Sequence, residues 1–135
     1  MNSIAWEEGF SIGHESMDAQ HRRMCGLIDQ VRGIVHSRIR PDVREAEQVV
    51  TDLVHALADH FTFENQLMRD TAYPQEASHR AYHMRMLEAI SEVMEHWLVG
   101  DDASAAYDDF FHQWYYHHAS GADQSFGRWL EAHPE

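Results

Sequence analysis

Between residues 43 and 67 the chain places a core-type side chain at every third or fourth position: Val43, Ala46, Val50, Leu53, Leu57, His60, Glu64, Leu67. Successive residues of an α-helix turn by about 100°, so this spacing holds one stripe on one side of a helix. A strand would need strict alternation, and no stretch of the chain alternates. A helix with such a stripe must bury it against other helices.

Three more segments carry the same pattern. One row reads Met17, His21, Met24, Ile28, Val31, Val35; another reads His79, His83, Met86, Ile90, Val93, Trp97; a third reads Tyr107, Phe111, Trp114, His118. Pro41, Pro74 and Gly100 punctuate the chain between them. Proline fixes φ and removes a donor, so it falls where helices start or stop. The predicted helices are therefore 18–37, 42–71, 75–98 and 103–120, with a short fifth piece at 124–132 and an irregular arm at 1–16. Short connections between four amphipathic helices predict an all-α, antiparallel up-down-up-down four-helix bundle, a single domain over 1–135.

A formal charge of -13 speaks against a nucleic-acid partner or an anionic membrane surface. No apolar run approaches the roughly 20 residues of a membrane span. The opening MNSIAWEEGF lacks the basic start and apolar run of a signal peptide. The single cysteine, Cys25, excludes an internal disulfide framework and suits a reducing compartment. The expected location is cytoplasmic.

Histidine is the unusual component, at 12 residues. His60 and Glu64 are four apart, and so are His79 and His83. Residues i and i+4 lie within about 40° of each other on a helix, so each pair aims two ligand groups at one spot. A lone pair of this kind is more often a hydrogen-bonded core histidine. Here, however, the predicted helix 42–71 ends where the predicted helix 75–98 begins, which brings both pairs to one level of an antiparallel hairpin. His21 and His118 fall at the same bundle end. A tetrahedral zinc needs four ligands, and this set exceeds four, which points to two ions bridged by carboxylate. Imidazole with carboxylate suits iron, and zinc or manganese less well under redox demand.

On its motifs the chain resembles the hemerythrin family, above all its bacterial stand-alone members. The likeness runs from Trp6 to about Asp123 through MDAQHRRM, HFTFENQLM, YPQEASHRAYH and WYYHHASGAD, with Trp6 and Gly13 in the arm. The family's metal positions fall on His21, His60, Glu64, His79, His83, His118 and Asp123. The resemblance implies two irons per chain with an oxo or hydroxo bridge. His79, His83 and His118 would hold one iron, His21 and His60 the other, and Glu64 and Asp123 would bridge them. It implies reversible binding of dioxygen as a hydroperoxide at the iron with the open position, for oxygen storage, delivery or scavenging. Two other readings stay open: a di-iron redox enzyme acting on peroxide, oxygen or nitric oxide, and an oxygen sensor working through a separate protein. So does a bundle that holds a structural metal.

His118 and Asp123 are five residues apart, which in a regular helix leaves them about 140° out of line. Both can reach the metals only if the helix ends or widens between them, and Gly121 sits there. Tyr115 and Ala119 stand where bacterial relatives usually carry Leu and Ile. By resemblance they line the oxygen pocket with Trp114, and a phenol there favours faster oxidation unless Tyr115 simply fills the volume left by Ala119. Phe61 and Met86 are further candidate walls. His14 is expected on an exposed arm, His117 at the surface, and Cys25 in a buried apolar role.

Overall fold

The computed structural model describes residues 14–133, apart from the side chains of Ala119 and Ser120. Trp6, Gly13 and nearly all of the expected arm lie outside the described residues. The elements run α1 (Glu15–Val35), α2 (Val43–Asp70), α3 (Glu76–Leu98), α4 (Ser104–His112), a π-helical segment (Gln113–Ala122) and α5 (Asp123–Ala132). Among the described residues there is no strand. The α1/α2, α2/α3, α3/α4 and α1/α4 pairs pack on one another, as a closed four-helix bundle requires.

Helix α1 starts three residues earlier than expected because His14 serves as its N-cap. The His14 Nδ1 accepts from the Met17 N–H at 3.4 Å, and the ring lies edge-on to Phe63. His14 is therefore a half-buried cap rather than an exposed arm residue. Asp42 caps α2 by accepting from the N–H groups of Arg44 and Glu45. That satisfies donors a helix start leaves orphaned.

Two tight helix ends fix the hairpins. At the end of α3 the Asp101 N–H donates to His96 O and the Gly100 N–H to Trp97 O, with Gly100 at φ 91°. The end of α2 repeats the pattern: Tyr73 N–H donates to Met68 O and Ala72 N–H to Arg69 O. Here Ala72 takes the left-handed position at φ 58°, where glycine is favoured. The reversal leaves a short turn between α2 and α3, so Glu64 and His79 arrive at one level. At the opposite end, Arg40 lies 3.8 Å over the Trp97 ring and donates to its carbonyl, which ties the α1–α2 loop to α3.

The stripes read from the sequence are largely the buried ones, with shifts: Val35 at the end of α1 is only half-buried. Val43 is exposed and Leu67 only half-buried, while Phe61 and Met68 of α2 are buried. In α4 Phe110 is buried and Phe111 is not, because Tyr107 and Phe110 share the inward face. The core divides in two. The main cluster runs from Val31, Ala46, Val93 and Trp97 at the far end to Phe61, Met86 and Trp114. A smaller one joins Met17, Met68, Tyr73 and Phe126, covered by Trp129 and Leu130 of α5. Burial at about 25 cal/mol per Å² drives both clusters together.

The predicted break between a fourth helix and a fifth piece does not occur. Backbone runs helically from Ser104 to Ala132, widening to π geometry over Gln113–Ala122. The continuous helix carries α5 over the α2–α3 turn and forms the smaller cluster.

Candidate metal centre

Between the two apolar clusters lies a polar layer. Apart from Asp18 and Arg32, every buried polar or charged side chain among the described residues belongs to it: His21, His60, Glu64, His79, His83, His118 and Asp123. Helix α1 supplies His21, α2 supplies His60 and Glu64, and α3 supplies His79 and His83. The π segment supplies His118, and Asp123 opens α5.

The π segment brings the last two together. The Asp123 N–H donates to His118 O, a hydrogen bond that spans five residues. In π geometry i and i+5 are bonded neighbours. The helix widens rather than ends, and the 140° discrepancy vanishes. Gly121 leaves space at this widened turn. A Cβ at this position would sit 3.1 Å from Tyr116 O, tighter than ordinary contact.

Within the layer each carboxylate divides its oxygens. Asp123 Oδ2 lies 2.7 Å from His21 Nε2 and 3.5 Å from His60 Nε2. Its Oδ1 lies 3.0 Å from His79 Nε2 and 3.1 Å from His118 Nε2. Glu64 Oε1 faces His79, His83 and His118 at 2.6, 3.0 and 3.5 Å, while Oε2 faces His60 at 3.5 Å. Two groupings of donor atoms close enough to share an ion follow: Glu64, His79, His83, His118 and Asp123, and His21, His60, His118 and Asp123. His118 reaches both.

Many of these close approaches are not hydrogen bonds. His79 Nε2, Glu64 Oε2 and both Asp123 oxygens are buried without a hydrogen-bond partner. Nε2 atoms also face each other, at 3.2 Å for His21 and His60 and 2.9 Å for His83 and His118. Two further bonds explain why. His60 Nδ1 donates to Gln20 Oε1 at 2.7 Å, and His83 Nδ1 donates to Asn65 Oδ1 at 2.9 Å. A neutral imidazole has one N–H, so both Nε2 atoms are left as bare lone pairs. Lone pairs from several elements converging in a dry layer need a cation between them. The donor set of imidazole and carboxylate fits a transition metal ion.

Residues 12–130 match the family described as "Hemerythrin HHE cation binding domain". The chain belongs to the hemerythrin family. It is 28% identical over 133 residues to the Bacteriohemerythrin of Stenotrophomonas maltophilia, covering 98% of this chain and 85% of that one. The Bacteriohemerythrin of Pseudomonas aeruginosa is 23% identical over 126 residues, covering 93% and 80%. The Myohemerythrin of Riftia pachyptila is 24% identical over 118 residues, covering 87% and 86%.

Around this hemerythrin layer, Phe61 stacks on His83 with ring centres 4.0 Å apart, and buried Trp114 meets His21 edge-on at 6.3 Å. Met86 is buried as well. Tyr115 is half-buried and packs on Phe111 and Tyr116. The Ala119 side chain lies outside the described residues. Both positions fall within the π segment. Cys25 is buried, and desolvation pushes its thiol up to about 11. His117 is exposed.

Gln20 and Asn65 are the functional residues that sequence reasoning passed over. Each flanks a ligand-type residue in sequence, His21 and Glu64, yet serves a histidine on another helix. The usable signal is general: an inward-facing histidine needs an acceptor for its other nitrogen, and neighbouring amides are the natural supply.

Without metal, protons take the cation's place. Burial acts first on Glu64, pushing it up, as does Asp123, but His118, His79 and His83 outweigh them and hold it down to about 2. Asp123 is likewise held well below its ordinary value: burial opposes this, and His118, His21, His60 and His79 prevail. Burial lowers His79, but its contacts with Asp123 and Glu64 raise it to about 9. His21 is raised by the same balance through Asp123. Desolvation wins at His60, which is lowered, and at His83, which falls to about 4. This balance favours ionised carboxylates and a protonated His79.

Two predictions follow from this geometry. Metal ions must displace the His79 proton at any pH below about 9. Apparent metal affinity then rises with pH toward that value, and calorimetric titration at pH 7 in buffers of different ionisation heat shows proton release; buffer-independent heats would contradict it. Gly121→Ala presses a methyl group on Tyr116 O. It is expected to cost about 1–3 kcal/mol in denaturant unfolding and to speed metal loss to a chelator; unchanged stability and unchanged metal loss would show that the widened turn does not need glycine.

Proposed function

We propose that the seven side chains hold two iron ions per chain and that the loaded protein binds dioxygen reversibly, for storage, delivery or scavenging. The observation that carries this reading is the division of each carboxylate. Asp123 directs Oδ2 toward His21 and His60 and Oδ1 toward His79 and His118, while Glu64 directs Oε2 toward His60 and Oε1 toward His79, His83 and His118. A carboxylate shared in this way bridges two ions. The relatives' names, Bacteriohemerythrin and Myohemerythrin, support the same assignment.

In this reading His79, His83 and His118 would hold one iron and His21 and His60 the other, and Glu64 and Asp123 would serve both. The two-histidine position, with fewer protein ligands, would leave room for dioxygen. When bound, the iron pair supplies the electrons that dioxygen takes up and returns. The protein's own residues do the rest. Asp123 and Glu64 offset the ions' charge in a layer where unpaired charge would be costly. Gln20 and Asn65 fix the tautomers of His60 and His83 and so keep Nε2 available. Phe61, Met86 and Trp114 keep water away from the layer. Trp114 stands beside His21, on the two-histidine side.

No helix among the described residues is long and apolar enough to cross a membrane. A free, buried Cys25 supports a cytoplasmic setting.

The test is anaerobic loading with ferrous iron, then repeated exposure to oxygen and its removal. The expected outcome is a visible charge-transfer band that appears and vanishes over several cycles. A one-way change to the ferric form would replace the carrier with the redox enzyme. Failure to bind iron, or uptake of a single zinc only, would leave a structural metal site.

A further inference from the structure

A groove of about 560 Å³ opens on the outer side of His79. Its volume falls within the range of about 300–1,000 Å³ typical of small-molecule sites. Three aromatic side chains wall it: Tyr73, Tyr82 and Trp129. Tyr73 and Trp129 meet edge to face with ring centres 5.2 Å apart, and Tyr82 is held in place by donating to Gln113 O at 2.9 Å.

Its charge is the reverse of the chain's. The protein has 23 acidic residues and a formal charge of -13. Among the described residues that line the groove there is no Asp or Glu, and Arg85 is one of them. Arg85 lies 5.5 Å over the Tyr82 ring, with its guanidinium exposed at the rim. A second arginine, Arg128, lies outside the lining and donates to Ser125, which lines the groove. A planar guanidinium at the mouth of an aromatic cleft suits a flat ring system bearing a phosphate or carboxylate.

The groove also touches the metal layer. His79 forms part of its floor, and Tyr82 is stacked over His118 at 6.1 Å with an interplanar angle of 16°. Both histidines belong to the three-histidine side, whereas Trp114 stands on the two-histidine side.

We propose that this groove binds a small aromatic anion, a planar fused-ring system carrying a phosphate or carboxylate, and that in reduced form this ligand delivers electrons to the metal centre past His79. Binding is independent of the iron reading, whereas the electron role rests on it. A dihydroflavin is the simplest donor of the class. It loses two electrons and two protons to become the oxidised ring, each of two ferric ions gains one electron to become ferrous, and the protons pass to water. Dioxygen and the reductant would then use different sides of the layer.

Flavin mononucleotide, riboflavin and inorganic phosphate separate the contributions, since riboflavin has the ring without the phosphate. With the full-length protein, flavin mononucleotide fluorescence should be quenched in a saturable titration. Arg85→Ala should weaken that binding about tenfold, the usual loss for one charge-assisted contact, and leave the weaker riboflavin binding unchanged. Trp129→Leu should weaken both. Arg85 is exposed, so its replacement leaves the core intact. No saturable quenching, displacement by phosphate alone, or indifference to both variants overturns the site.

For the electron role, anaerobic reduction of the ferric protein by reduced flavin mononucleotide should slow about tenfold in Arg85→Ala, in line with the loss of binding, while reduction by reduced riboflavin keeps its rate. Equal rates with the first reductant overturn that role even if the site binds. A protein that takes up no iron would sink the metal reading, and the titration would still decide the groove.

Discussion

Two carboxylates buried in a dry layer set the terms for the rest of this molecule. Glu64 and Asp123 are both fully buried, out of reach of bulk solvent. Left alone, each would cost several kcal/mol or take up a proton. Five imidazoles from the surrounding elements prevent that, whether they carry protons or hold metal ions. The apolar clusters above and below keep the layer dry and so make the electrostatic demand strong. Packing and charge are therefore one problem: the smaller cluster under Phe126 and Trp129 exists because the last helix continues past the layer and closes it.

That continuation depends on the backbone between Gln113 and Ala122. A regular α-helix could deliver His118 or Asp123 to the layer, but not both. Widening by one residue aligns them and keeps the hydrogen-bonded chain intact, so the helix can still run on to cover the α2–α3 turn. The tightest point is Gly121, where a Cβ would press closer on the carbonyl of Tyr116 than an ordinary contact allows. Local backbone geometry, ligand geometry and closure of the core are thus linked at one residue.

Much of this was legible in the sequence, for physical reasons. The three-and-four spacing of α2 and α3 could not be read as anything but helix, and histidines on a core-facing stripe had to be paired. The five-residue gap between His118 and Asp123 required a break or a widening. Sequence could not choose between them, because both satisfy the angle; the hydrogen bond from Asp123 to His118 O decides for widening. The cap at His14 is local to α1 but uses an imidazole rather than a usual capping side chain. The pairing of Gln20 with His60 and of Asn65 with His83 was not legible residue by residue, since it depends on how one helix is rotated against another. The choice of Phe110 over Phe111 for the core has the same origin. The pocket role of Tyr115 and Ala119 rests on the family resemblance rather than on spacing.

The central claim is that the seven side chains together grip two ions. Crystals of iron-loaded protein, with anomalous scattering collected at the iron edge, test it most directly. The account predicts two iron peaks in the layer, one beside His79, His83 and His118 and one beside His21 and His60, each in contact with Glu64 and Asp123. A single peak, or iron bound elsewhere while these side chains keep their metal-free contacts, would contradict it.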